Sequence, residues 1–200
     1  MSEPAATPPR MTVAEFLKWD DGTDTSYELI DGRPVARYAR SGRSPIPTAM
    51  APPAPRHGRI AMNTGGAIDG RLKDRLPCGS VGEGGVWVND ETCYIPDVVA
   101  TCVPLSDEGY VADPFLVVEI LSNSDRGKRA REKVDGYMTL PSVQEIWLVD
   151  SRKRWLQQWR RAGEDSWIVG LPLTGPATFA SPTLGGEPVA LDELYFNTGL

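Results

Sequence analysis

Two carboxylates stand where apolar residues would be the easy choice. Asp97 follows Pro96 near the start of a Val- and Ile-rich run, Ile95–Val103, and Glu119 lies inside Phe115–Leu121 with apolar neighbours on both sides. Both runs read as buried strands. An ionised carboxylate in such a setting is penalised heavily unless a cation or hydrogen-bond donors meet it. Neighbouring strands can bring both acids to one spot, and a hard cation such as magnesium prefers oxygen ligands of this kind. Glu28, in Tyr27-Glu-Leu-Ile-Asp-Gly32, adds a third acid, and Arg129, Lys133 and Tyr137 share one helix face at four-residue spacing. His57 is the only histidine. Each also has a structural reading. Glu119 and Lys133 can form a buried ion pair, a hairpin glutamate usually faces solvent, and Tyr137 can serve packing alone. His57 either starts a helix or contacts phosphate and moves a proton.

The elements that must position these residues can be followed along the chain. Residues 1–10 read as a disordered tail, and residues 11–196 as one domain. Thr12-Val-Ala-Glu15 is a capping box and predicts a short helix. Asp31-Gly32 between two β-prone runs predicts a hairpin, whose alternation puts Glu28 opposite Tyr27 and Leu29. A proline-rich loop covers 40–56. A helix is expected from His57 to about Leu76, with Ile60, Thr64, Ile68, Leu72 and Leu76 on its buried face. Three β-like runs follow: Val86–Val88 after a glycine-rich turn, Ile95–Val103 and Phe115–Leu121. A helix from about Gly127 to Leu140, capped by Asn123 or Ser124, leads to the buried strand Glu145–Asp150. Trp155–Arg160 and Trp167–Leu171 then form a hairpin. The fold class is α/β (α+β), a mixed sheet built in the order helix, three strands, helix, strand, with an N-terminal helix and hairpin and a C-terminal β-hairpin added.

Composition narrows the function. A chain of 200 residues with net charge -6 does not coat nucleic acid non-specifically, although two basic clusters, Arg126–Lys133 and Arg152–Arg161, offer local surfaces for a phosphate backbone or simply solvated faces. Trp155 and Trp159 are the tryptophans expected at the surface. Cys78, Cys93 and Cys102 form no CxxC pair and fit no zinc spacing, so free, buried thiols and a cytoplasmic location are expected. No apolar run is long enough to span a membrane.

In order along the chain, Tyr27-Glu28-Leu-Ile-Asp-Gly32, Met50 and the prolines before His57, Pro96-Asp97-Val-Val, Val118-Glu119-Ile-Leu-Ser122, Lys133 with Tyr137, Glu145-Ile-Trp-Leu-Val-Asp150 and Val189-Ala-Leu-Asp-Glu-Leu194 resemble the Uma family of restriction endonucleases, within the PD-(D/E)xK nuclease superfamily. The resemblance covers about Met11 to Phe196. It implies a restriction-endonuclease-like core and an Mg-dependent endodeoxyribonuclease, with magnesium (or manganese) held by Asp97 and Glu119. Lys133 would carry the lysine role and Glu28 would add an acid near the metal. His57, Arg129 and Tyr137 would line the site for substrate binding or proton transfer. The partners implied are DNA and the divalent metal, with a homodimer placing two sites on two strands. In the parent motif the lysine lies two residues after the acid, where this chain has Leu121; a helix folding back over the sheet can deliver Lys133 instead. The alternative is an inactive module that keeps the fold to bind nucleic acid or protein.

Overall fold

The computed structural model describes residues 10–23, 25–37, 55–122 and 128–200, with only the backbone at 128 and 130. Most of the 40–56 loop and the caps expected at Asn123 and Ser124 lie outside the described residues.

The chain opens with α1 (Val13–Phe16), whose capping box forms as predicted: Thr12 accepts from the Glu15 backbone and Glu15 accepts from the Thr12 backbone. Strands β1 (Tyr27–Ile30) and β2 (Arg33–Ala36) pair antiparallel around Asp31-Gly32. Both turn residues take positive φ, 48° and 74°, the backbone that a two-residue hairpin requires and that Asp-Gly supplies. Helix α2 (Pro55–Leu72) begins two residues earlier and ends four earlier than the periodicity predicts. Proline suits the first helical position because its missing N–H would have no partner there.

Next come β3 (Gly79–Gly82), β4 (Val86–Asn89), β5 (Thr92–Tyr94), β6 (Val98–Thr101) and β7 (Pro114–Leu121). Helix α3 (Lys128–Met138), β8 (Glu145–Asp150), β9 (Trp155–Arg161), β10 (Trp167–Val169) and β11 (Leu173–Thr174) follow. The chain ends in β12 (Thr178–Ala180), β13 (Pro188–Ala190) and α4 (Leu191–Leu194). A seven-stranded sheet runs β10-β9-β8-β7-β6-β3, with β11 also on β9, while β2-β1-β5-β4 form a smaller sheet. The β7–β8 pair is parallel, joined by the α3 crossover.

Two strand expectations need correction. Val86–Val88 was the expected first strand of the central sheet, yet β4 lies in the smaller sheet. The strand beside β6 is Gly79-Ser-Val-Gly82, which reads as a turn because its contribution is backbone pairing, from Gly79↔Thr101 to Gly82↔Val98. The run Ile95–Val103 is likewise shorter as a strand: Pro96 separates β5, in one sheet, from β6, in the other.

Alternation along β6, β7 and β8 gives the large sheet two apolar faces. Val98, Ala100, Leu116, Val118, Ile120, Trp147 and Val149 pack with Ile60, Ile68 and Leu72 of α2 and with the C-terminal Leu191, Leu194 and Tyr195. Val99, Val117, Ile146 and Leu148 pack on the other face with Val134 and Tyr137 of α3. A third cluster, Met11, Val13, Leu29 and Cys93, holds α1 to the smaller sheet. Glu145 is fully buried. It accepts from Trp147 Nε1 at 2.6 Å, Ser181 Oγ at 2.8 Å, Thr183 Oγ1 at 2.7 Å and from Gln158. Neutral donors satisfy this carboxylate and pin the segment after β12 to the sheet.

The cysteines depart from expectation. Cys78 and Cys102 are joined in a disulfide, and only Cys93 is a free buried thiol. The antiparallel register ending at Gly79↔Thr101 sets Cys78 across from Cys102, a proximity that spacing along the chain does not reveal. Among the described residues, no helix is long and apolar enough to cross a membrane.

Candidate active site

Strand register brings the two central acids together. Extending the pairs Val99↔Val117 and Val98↔Val118 by one step sets Asp97 opposite Glu119. Both belong to the alternation that faces α3. Asp97 lies at the entry to β6, and its Oδ2 accepts the Ile120 N–H at 2.6 Å, which anchors the side chain to the neighbouring strand. Glu28 reaches the same place from the smaller sheet. Its Oε1 accepts the Ile95 N–H at 2.9 Å, two residues before Asp97. The hairpin glutamate is therefore buried, only 3% exposed, and not the solvent-facing group that its sequence context favours.

Helix α3 supplies the cation. Lys133 Nζ lies 2.6 Å from Glu28 Oε1 and 3.0 Å from Glu119 Oε1. One turn further on, the Tyr137 hydroxyl donates to the same Glu119 oxygen at 2.7 Å. The four-residue spacing that put Lys133 and Tyr137 on one face thus brings both to one carboxylate. Arg129 lies one turn before Lys133 and is half-buried. The helix can come this close because position 136 is glycine: a Cβ there would sit 2.7 Å from the Tyr94 ring. That ring packs edge-on against Tyr137 and lies 5.8 Å beneath Lys133 Nζ.

His57, from α2, closes the other side. Its Nε2 lies 3.0 Å from the Ile120 carbonyl and 3.4 Å from Asp97 Oδ1. Among the candidates named from sequence, Glu28, His57, Asp97, Glu119, Lys133 and Tyr137 therefore converge. Tyr94 and Arg37 stand beside them without any sequence signal. Tyr94 falls just before the run read as a strand, Ile95–Val103, and Arg37 lies near the end of a hairpin.

Burial pushes the Glu119 carboxyl up to about 7; Lys133 opposes this, while Asp97 and Glu28 add to it. Burial works against the Lys133 charge, but Glu119 and Glu28 outweigh it and hold the ammonium above its ordinary value. Tyr137 is raised well above its usual range by burial and by the same two acids, so it remains a donor. Burial disfavours charge on His57, yet the hydrogen bond and charge of Asp97 and the Ile120 carbonyl prevail and raise it. Glu28 and Glu119 are met by Lys133, and Asp97 by His57, so the three acids and two cationic groups form one network.

Asp97 and Glu119 supply carboxylate oxygens of the kind a hard divalent ion takes. Among the described residues, no three His, Cys, Asp or Glu side chains are gathered as a ready metal cage. A magnesium-type site needs only one or two carboxylates, with water and substrate oxygens completing it, so the residues fit such an ion.

A mixed sheet with helices on both faces and acids on two central strands is the restriction-endonuclease-like fold. A structure from Anabaena variabilis, described as a "putative nuclease belonging to DUF820", shares it with a TM-score of 0.64 at 19% identity, over 92% of this chain and 97% of its own. The family model described as "Putative restriction endonuclease" (Uma2) matches residues 13–186, and the chain belongs to that family. It is also similar to two uncharacterized proteins of Synechocystis sp. One is 26% identical over 169 residues, covering 82% of this chain and 88% of the relative; the other is 25% identical over 171 residues, covering 83% and 82%.

Proposed function

We propose that this member of a nuclease family is a metal-dependent endonuclease that hydrolyses DNA phosphodiester bonds, with residues 11–196 as its working domain. The observation that carries the reading is the meeting of Lys133 Nζ with Glu28 and Glu119 beside Asp97, on a buried face where a structural pair would need one acid only. Asp97 and Glu119 would hold a magnesium or manganese ion. When bound, such an ion supplies an activated water and charge stabilisation at the phosphate. Lys133 orients the attacking water or steadies the charge that builds on the phosphate. Glu28 keeps Lys133 ionised and in place. Tyr137 fixes the Glu119 oxygen that faces Lys133, leaving the other oxygen for the ion. His57, whose contact with Asp97 favours its protonated form, stands where it can meet a phosphate oxygen or hand a proton to the leaving group, and Arg129 extends the cationic side of the site. A homodimer would offer two such sites to the two strands of a duplex.

Incubation with supercoiled plasmid separates the outcomes. Nicking with magnesium or manganese, lost with chelator and in Asp97→Ala, is the expected result. A folded protein that leaves DNA intact with every divalent ion sinks the reading.

A further inference from the structure

Tyr94 has no part in the mechanism above, yet its ring meets Lys133, Gly136 and Tyr137 of α3 in turn. It ends β5 and is only 7% exposed. Extending the pair Leu29↔Cys93 by one step sets it opposite Glu28, and cross-strand partners share a face of their sheet. Lys133 Nζ lies 5.8 Å from the ring centroid. The Tyr137 ring stands edge-on at 5.4 Å and 79°. At Gly136 a Cβ would come within 2.7 Å of the ring and 3.2 Å of its hydroxyl oxygen. The next residue, Ile95, holds Glu28 through its N–H, and Asp97 follows two positions later. The ring thus stands between the strand that fixes the acids and the helix that brings the lysine.

An ammonium on a four-carbon stem is a mobile point charge, free to swing between acceptors. Glu28 at 2.6 Å and Glu119 at 3.0 Å approach it from two sheets, and either could draw it away from the other. The aromatic face gives it a third neighbour, attractive to a cation within about 6 Å but carrying no net charge that would repel a phosphate. Burial, ahead of the nearby Asp31, raises the Tyr94 hydroxyl above its ordinary value and keeps the ring neutral. A buried tyrosine hydroxyl usually finds a hydrogen-bond partner. Among the described residues this one has none, so the ring, and not the hydroxyl, is what the fold employs here.

Resting on the nuclease reading, we propose that Tyr94 is a positioning residue for Lys133. Its ring fixes where the ammonium stands between Glu28 and Glu119, and so where it meets the attacking water or the phosphate. Without the ring, the lysine stem gains the space beneath it and the ammonium settles onto one acid. An error of about 1 Å at a reacting centre costs up to ~10²-fold in rate. The substrate still binds, because Tyr94 does not touch it. The loss therefore falls on kcat with KM unchanged, the mark of an interaction used only in the transition state.

Nicking of supercoiled plasmid with magnesium or manganese, measured at steady state over a double-mutant cycle, tests this. Tyr94→Leu lowers kcat by about tenfold or more with KM unchanged, and Tyr94→Phe, which keeps the ring, retains most of the rate. In a Lys133→Met background Tyr94→Leu produces no further loss, because the ring acts through the ammonium. Melting temperature falls with Tyr94→Leu in both backgrounds, so lost packing shows in the melt and lost positioning in the cycle. Tyr94→Met, which refills the space without a flat face, gives the same cycle if the leucine variant does not fold. A rate loss that persists in full beside Lys133→Met is a packing effect and overturns the role. Tyr94→Phe as slow as Tyr94→Leu makes the hydroxyl a substrate contact and overturns it too, as does full kcat in Tyr94→Leu. A wild type that leaves plasmid intact with every divalent ion removes the nuclease reading, and this inference with it; a wild type that nicks with an additive cycle removes this inference alone.

Discussion

Lys133 is the residue on which the site turns. It bridges acids from two sheets, so its removal should act on chemistry and on stability together. Lys133→Met is expected to cut plasmid nicking by ~10²-fold or more. Its melting temperature should fall more at pH 8 than at pH 6, because Glu119 can take up a proton at the lower pH and so avoid a stranded charge. Full nicking in a folded Lys133→Met protein would remove the lysine from the mechanism. The wild type has its own pH signature. Burial pushes the Glu119 carboxyl up to about 7 from an ordinary value near 4.5, so the native state holds a proton that the unfolded chain releases. Stability contributed by that proton is fully present below about 4.5 and is lost as pH rises through about 7, an effect on the order of 3 kcal/mol. Metal-free protein should therefore melt at a lower temperature as pH rises across this window, and Glu119→Gln should flatten the trend. At this scale the sequence was legible where a simple periodicity governs. An acid inside each of two apolar runs singled out Asp97 and Glu119, and four-residue spacing put Lys133 and Tyr137 on one face. The burial of Glu28 was not legible, because the strand that covers it, and the Ile95 N–H that satisfies it, come from 67 residues away.

Helix α3 must sit at one height above β7 for Lys133 to reach Glu119. Gly136 sets that height: the Tyr94 ring occupies the space a side chain would take, and the ring is itself wedged against Tyr137. Gly136→Ala should lift the helix at this point and cost about 1–3 kcal/mol through overpacking. Nicking should fall further than the stability loss alone explains. Thermal melts and single-turnover cleavage on the same sample check this; unchanged cleavage would mean that α3 yields elsewhere. Most elements could be read in advance because apolar period and turn chemistry agreed, as in Asp31-Gly32 and Glu145–Asp150. The strand β3 could not. An edge strand of glycine, serine and valine pairs through its backbone, and nothing in its side chains announces the partner.

At the scale of the whole molecule, the Cys78–Cys102 link ties the segment after α2 to the far end of β6. Titration with a thiol reagent in denaturant should find one free thiol without reductant and three after reduction. Three without reductant would show the link to be absent from the protein as purified. Replacing both cysteines by serine should cost about 3 kcal/mol, on the loop-closure argument. The basic clusters read from sequence also look different in three dimensions. Arg161 spends its guanidinium on the carbonyls of Met138, Leu140 and Val143 at the end of α3. Arg154 pairs with Asp192. Much of that second cluster is scaffold, a fact hidden from any count of charges along the chain.

Pro96 stands at the joint between the two sheets. The chain leaves β5 at Tyr94 and enters β6 at Val98, so the smaller sheet is attached to the larger by a short stiff neck. Glu28 rides on one side of this neck and Glu119 on the other. Their separation is fixed by packing, because Val86 and Tyr94 of the smaller sheet lie in one apolar cluster with Val99 and Val117 of the larger sheet and with Val134 and Tyr137 of α3. Lys133, bonded to both acids, is the pin across that seam. Two sheets that part at Pro96 thus hold their acids at one spacing as a single packed body.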